Sequence, residues 1–240
     1  MPVLDLVIPL GIGSKHGNDE LRILLRSVER NVRDIGRVVV VTQAVPDWLQ
    51  NAVVVKCGDP LKHNKDGNLI RKVLTALDKL DIRGKFCLSA DDAVFFKEIR
   101  LADCPLLFNS RGRDEFDANG KRWHRRMVRT FMFFGLQGCN LNHNYEVHAP
   151  QVFDADLIRK VIPTVDYQSD IGYCIYTLFR GMCHETGGVE QSPYKDTIEE
   201  ENQVDAPLDK LFVGYNDTAF DAGLRERLFG IFSEKSKYER

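Results

Sequence analysis

The feature that most constrains this chain is the alternation, over its first ninety residues, of short apolar runs with longer segments of helical period. Leu4 to Leu10 (LDLVIPL), Val38 to Val41 (VVVV), Ala52 to Cys57 (AVVVKC) and Lys85 to Ala90 (KFCLSA) are the runs. Each has strand length, and the β-branched 38–41 run predicts a strand covered on both faces. Leu21, Leu24, Leu25, Val28 and Val32 recur at helical spacing and predict a helix, capped by Asn18 or Asp19 and ended by Gly36. Leu69, Val73, Leu77 and Leu80 predict a second helix over residues 66–80. Strand, helix, strand, strand, helix, strand in this order implies a Rossmann-related α/β fold, with a mostly parallel central sheet flanked by helices. Ligands of such sheets bind beyond the carboxyl ends of the strands. The loop from Gly11 to Gly17 and the pair Asp91-Asp92 both fall at such ends, so one crevice is expected to receive both.

The second half is less regular. Helices are expected at 119–135, 154–162, 167–179 and 218–232, an extended segment at 145–152, a mobile loop over 184–206 and a last strand at 211–213. A single domain is expected over 1–240, with a nucleotide- and metal-binding half (1–98) and an acceptor half (99–240). A formal net charge of -2 gives no whole-molecule attraction to nucleic acid or anionic membrane. The six cysteines form no C-x-x-C pair and lie among apolar residues, which reads as free thiols in a reducing compartment. No apolar run approaches membrane-spanning length and the start lacks a basic, cleavable leader, so a cytoplasmic protein is expected.

Asp91-Asp92 leads the candidate chemistry. Adjacent carboxylates at the mouth of an apolar strand repel one another, and a bound Mn²⁺ or Mg²⁺ relieves that repulsion. An acidic turn without ligand is the alternative. Gly11, Gly13 and Ser14 suggest a phosphate or nucleotide cradle, although neither the Walker A nor the full G-x-G-x-x-G spacing is present, and a plain strand exit accounts for them as well. Lys65 and Asn68, at the start of the second helix, are placed to receive an anion or to serve as a polar capping loop. Lys121, Arg122, His124, Arg125, Arg126 and Arg129 form the densest basic stretch, readable as a solvated face, an anion site or a nucleic-acid contact. Glu146 and His148 sit two apart on one side of an extended segment, so His148 is a candidate third metal ligand, diphosphate donor or general base. Asp170 precedes an apolar helix, as a dipole-favoured carboxylate or as a catalytic base.

Several motifs, in order along the chain, resemble two related groups of enzymes. They are Asp19-Glu20-Leu21-Arg22 with Leu25-Arg26-Ser27-Val28-Glu29, Val41-Thr42, Pro46-Asp47-Trp48-Leu49, Ser89-Ala90-Asp91-Asp92-Ala93-Val94-Phe95-Phe96, Glu146-Val147-His148-Ala149-Pro150 and the tail Phe232 to Glu239. The groups are the glycosyltransferases of the nucleotide-sugar (GT-A) fold, particularly those of phages and prophages, and the Stealth sugar-phosphate transferases. The 89–96 segment is similar to their N-D-D-x-F-F segment and the 146–150 segment to their H-x-P segment. The resemblance implies a GT-A fold, Asp91 and Asp92 as metal and donor carboxylates and His148 in the active site. It also implies Mn²⁺ or Mg²⁺, a nucleotide-sugar donor (a UDP-sugar foremost) and an acceptor that is a glycan or a modified DNA. Under it, Asp92, His148 and Asp170 are the expected catalytic groups, and Asp91, Asp92 and His148 the metal ligands. Gly11, Gly13, Ser14, Arg22, Lys65, Asn68 and Asp91 are then the donor contacts. The first strand ends Ile8-Pro9-Leu10-Gly11, unlike the W-V-D-G-type ending of Stealth proteins, which makes sugar-1-phosphate transfer the alternative chemistry. A non-catalytic nucleotide-sugar or nucleic-acid binding module is the alternative of another class.

Overall fold

The computed structural model describes residues 3–240. Its central sheet has five strands in the order Gln151–Asp154, Lys85–Leu88, Leu4–Pro9, Ile35–Thr42, Val53–Lys56. All neighbours are parallel except the edge strand Gln151–Asp154, which runs antiparallel to Lys85–Leu88. The strand alternation sorts side chains between two cores. Val7, Val39, Val41 and Val55 face one side; Leu6, Ile8, Val38 and Val40 face the other.

Helix α1 (Asp19–Asn31) covers the second side with Leu21, Leu24, Leu25 and Val28. Helix α2 (Lys65–Lys79) covers the first with Ile70, Val73, Ala76 and Leu77, so the sheet is coated on both faces as its apolar strands require. Three helices of the second half join α2 on that side: α3 (Arg122–Leu136), α4 (Ala155–Val161) and α5 (Ile175–Met182).

A second sheet sets Phe212–Tyr215 between Lys195–Ile198, which is parallel to it, and Ala93–Phe95, which is antiparallel. The 1–98 and 99–240 halves therefore share these two sheets. Among the described residues no helix is long and apolar enough to cross a membrane, and all six cysteines are free.

The second half departs from expectation in physical detail. Helix α5 begins at Ile175, because Gly172, with φ +69°, and the loop before it are held against Asn64. The 184–206 segment is not an open loop: Val189–Glu190 pairs with Leu107–Gly112, and Lys195–Ile198 enters the second sheet. The extended segment ends later than its apolar pattern suggests, the strand being Gln151–Asp154. The closing helix is broken at Gly223, φ +118°, and resumes as Arg225–Ile231. In the first half, α1 ends at Asn31 and the chain turns at Asp34 (φ 52°), leaving Gly36 inside the next strand against Asp5. Asn18 likewise makes no side-chain cap.

Candidate functional site

From Leu4–Pro9 the chain crosses to Ile35–Thr42 on one side and later returns as Lys85–Leu88 on the other. The carboxyl ends of Leu4–Pro9 and Lys85–Leu88 are therefore a topological switch point, where departing loops diverge and leave a crevice. Ser89 keeps the exit in register, its N–H donating to the Val7 carbonyl at 3.1 Å. Asp91 and Asp92 form the turn between this strand and Ala93–Phe95. The first strand's exit is fixed by Lys72, fully buried, whose ammonium donates to the Leu10 carbonyl (2.7 Å) and to Asp59 (2.6 Å to the nearer oxygen).

The electrostatics of the turn are strained. Loss of water pushes the Asp91 carboxyl up to about 7, helped by Asp92 and Glu20 and opposed by its own backbone N–H and Lys65. Asp92 Oδ2 lies 3.6 Å from His148 Nδ1, and Asp92 Oδ1 is buried with no hydrogen-bond partner. An orphaned carboxylate oxygen beside a second carboxylate is a donor set suited to a hard divalent cation. Among the described residues, no three His, Cys, Asp or Glu side chains converge as a metal group. Asp91, Asp92 and His148 are thus not a preassembled trio. Mg²⁺ and its like nonetheless bind through one or two carboxylates, the other positions going to water and phosphate oxygens.

His148 sits at φ 48°, a left-handed conformation that costs about 1–3 kcal/mol for a non-glycine residue, and it aims the ring at Asp92. Its pKa is raised, first by its close approach to Asp92 at 3.6 Å and then by the charges of Asp92 and Glu146, against the opposing effect of lost water. Glu146 accepts the Thr177 N–H at 2.7 Å and is pushed up to about 7, by desolvation first and by Asp66 second. Asp66 is raised by burial and restrained chiefly by Arg126, at 3.1 Å. The elements thus deliver a chain of three carboxylates and an imidazole, Asp92–His148–Glu146–Asp66, from three separate segments.

The other expected residues divide. Lys65 acts on Asp91 and Asp66 through its charge and belongs to the crevice. Asn68 does not present its amide to a ligand: its carboxamide oxygen accepts the Leu61 N–H and its nitrogen donates to the Leu61 carbonyl, both at 3.0 Å. Ser14 is likewise engaged, donating to Glu20 (2.8 Å) and accepting from the Asn18 N–H (2.9 Å), so it organises the entry to α1. Gly11 and Gly13 are exposed, and a Cβ at either would meet nothing within 4 Å, so the fold itself does not demand glycine there. Arg22 lies over the Trp48 ring at 4.6 Å with Asp19 3.5 Å away.

Asp170 is exposed and lies five residues before α5, not at its start; its carbonyl accepts from Arg122. Three arginines of the basic stretch hold that loop. Arg122 reaches Asp170, Arg126 donates to the Ile171 carbonyl (2.9 Å), and Arg129 reaches Ser169 and Asp166 while lying over Tyr173. The stretch is a clamp between α3 and the 166–171 loop.

Sequence reasoning missed Lys195, Tyr176 and Tyr215. Lys195 is buried, with its pKa lowered to about 8 by desolvation and sustained by Asp92. Both tyrosines are held above their ordinary range by burial and then by Asp92, and the Tyr215 hydroxyl is buried without a partner. The signal available was Phe212-Val213-Gly214-Tyr215, an apolar run carrying a glycine and a hydroxyl, which reads locally as plain strand. Compared with models of protein families and with curated proteins, the sequence matches none.

Proposed function

We propose that the chain is a glycosyltransferase of GT-A type, moving a sugar from a nucleotide-diphosphate donor to an acceptor with the help of a divalent metal. The observation that carries this reading is the Asp91-Asp92 turn at the sheet's switch point, where lost water pushes one carboxyl up to about 7 and the other leaves a buried oxygen unsatisfied. The strand order, with its antiparallel edge beside Lys85–Leu88, accords with the motif resemblance.

Asp91 and Asp92 would hold Mn²⁺ or Mg²⁺, which supplies a Lewis acid for the charge that grows on a departing diphosphate. His148, 3.6 Å from Asp92, can donate a hydrogen bond to a phosphate or acceptor oxygen in its protonated state. Lys65 adds positive charge at the mouth. Asp170 has no contact that recommends it as a base, and the three engaged arginines give a nucleic-acid acceptor no support.

The test is thermal stabilisation by UDP, GDP, CDP and their sugars with Mn²⁺, Mg²⁺ or EDTA. A ligand at a hundred times its Kd stabilises by about 2.7 kcal/mol. A metal-dependent shift with one nucleotide, abolished in Asp92→Ala with folding intact, is the expected result. Donor turnover by Asp92→Ala at the wild-type rate would remove the metal from the reaction. Release of nucleoside monophosphate in place of diphosphate would indicate sugar-1-phosphate transfer.

A further inference from the structure

Lys195 opens the strand Lys195–Ile198 and is buried, at 3% exposure. An ammonium has three N–H donors. Here one is used, on Thr197 Oγ1 at 2.7 Å, and among the described residues no carboxylate stands within ion-pairing distance. The space it occupies is made by Gly214: a Cβ at that position would lie 2.8 Å from Nζ and 2.9 Å from Cε of Lys195, and 3.7 Å from the His148 carbonyl oxygen. Gly214 pairs with Ala93, the residue after Asp92. Near it the structure leaves polarity of both signs unused: the ammonium's spare donors and the buried oxygen Oδ1 of Asp92, whose charge acts on Lys195. A cation buried with spare donors is costly unless something accepts from it. The ligand that answers both groups is an anion that also ligates a cation held by the aspartates.

Resting on the glycosyltransferase reading, we propose that Lys195 is a direct contact for a phosphate oxygen of the donor diphosphate, and that Gly214 is glycine so that the ammonium can stand there. The metal would neutralise one side of the diphosphate and Lys195 the other. Desolvation already lowers the lysine's pKa, and a bound anion would restore its full charge.

The probes are UDP, GDP and inorganic pyrophosphate, each with Mn²⁺, titrated calorimetrically against wild type, Lys195→Met and Gly214→Ala. Circular dichroism and Mn²⁺ binding alone report whether each variant is folded with its carboxylates in place. The expected result is a loss of about tenfold or more in affinity for the diphosphates in both variants, with Mn²⁺ affinity and the weak binding of uridine or guanosine unchanged. Gly214→Ala, which leaves the lysine present but displaced, keeps the test open should Lys195→Met fail to fold. Wild-type diphosphate affinity in either folded variant would overturn the assignment of Lys195 while leaving the glycosyltransferase reading intact. Failure of the wild type to bind any of the three diphosphates would overturn that reading, and the role of Lys195 with it.

Discussion

Asp91 and Glu146 are both pushed up to about 7, and in each the largest cause is loss of water around the carboxylate. A carboxyl whose folded pKa exceeds its unfolded value of about 4 holds its proton longer in the folded state. Below about pH 4 both states are protonated and the group is neutral to stability. As pH rises from about 4 to 7 the unfolded state ionises first, so stability falls, and above about 7 the cost is complete. Asp91→Asn, which cannot ionise, should therefore match wild type near pH 4 and exceed it by about 1–2 kcal/mol near pH 8, a figure discounted because water still reaches the turn. Urea denaturation at several pH values measures this, and parallel curves would refute it. The same variant should lose stabilisation by Mn²⁺. Asn68 makes the opposite case. Asn68→Ala strands both backbone groups of Leu61 and should cost about 1–3 kcal/mol in stability, with affinity for Mn²⁺–UDP unchanged. A selective loss of affinity at unaltered stability would return Asn68 to the binding site.

Among the elements, α3 shows how a sequence motif changes meaning once its neighbours are known. Arg126 and Asp66 pair at 3.1 Å with side chains 11% and 16% exposed, and Asp66 in turn raises Glu146. Arg126→Ala removes the main charge restraining Asp66, so it should destabilise the fold by about 3 kcal/mol at neutral pH. Arg125→Ala, at a neighbouring position where no ion pair forms among the described residues, should cost under about 0.5 kcal/mol. Equal effects in chemical denaturation would mean the stretch is a solvated face after all. No spacing rule reveals this, because the partners of Arg122, Arg126 and Arg129 lie more than 35 residues away in the chain, at Asp66 and in the 166–171 loop. What was legible follows the same logic. The four first-half strands of the central sheet and both helices are written in local periodicity, and the switch point follows from their order. His148's approach to Asp92, the strand at Lys195 and the late start of α5 depend on contacts between distant segments. Asn68 and Ser14 carry the polar groups of a ligand site, yet spend them on backbone and on Glu20.

For the molecule as a whole, the last residues close the structure back upon its first helix. Glu239 takes two hydrogen bonds from Arg26 of α1, both at 2.8 Å, and accepts from the Ser236 N–H at 3.0 Å, while Leu49 forms an isolated β-bridge with it. The Arg26 and Glu239 side chains are 9% and 2% exposed, so this pair has lost most of its water and depends on its geometry. Burial by itself would raise the Glu239 pKa; the bonds from Arg26 and Ser236 outweigh it and hold the carboxyl below its ordinary value. The sign is therefore opposite to that of Asp91. A depressed carboxyl contributes stability that is fully present above the unfolded pKa, about 4.3, and is lost as pH falls through the lower folded value. Glu239→Gln should cost on the order of 3 kcal/mol at pH 7, because Arg26 is left buried without a counter-charge. The gap to wild type should narrow below about pH 4, as the native carboxyl takes up its proton. Since the pair joins the tail to α1 and makes no hydrogen bond to Asp91 or Asp92, Mn²⁺-dependent stabilisation by a diphosphate should survive the substitution. Thermal melts of both proteins between about pH 3 and 8, with and without Mn²⁺–UDP, separate the two regions. A variant that lost the ligand response along with its stability would show that the tail and the crevice are coupled through α1.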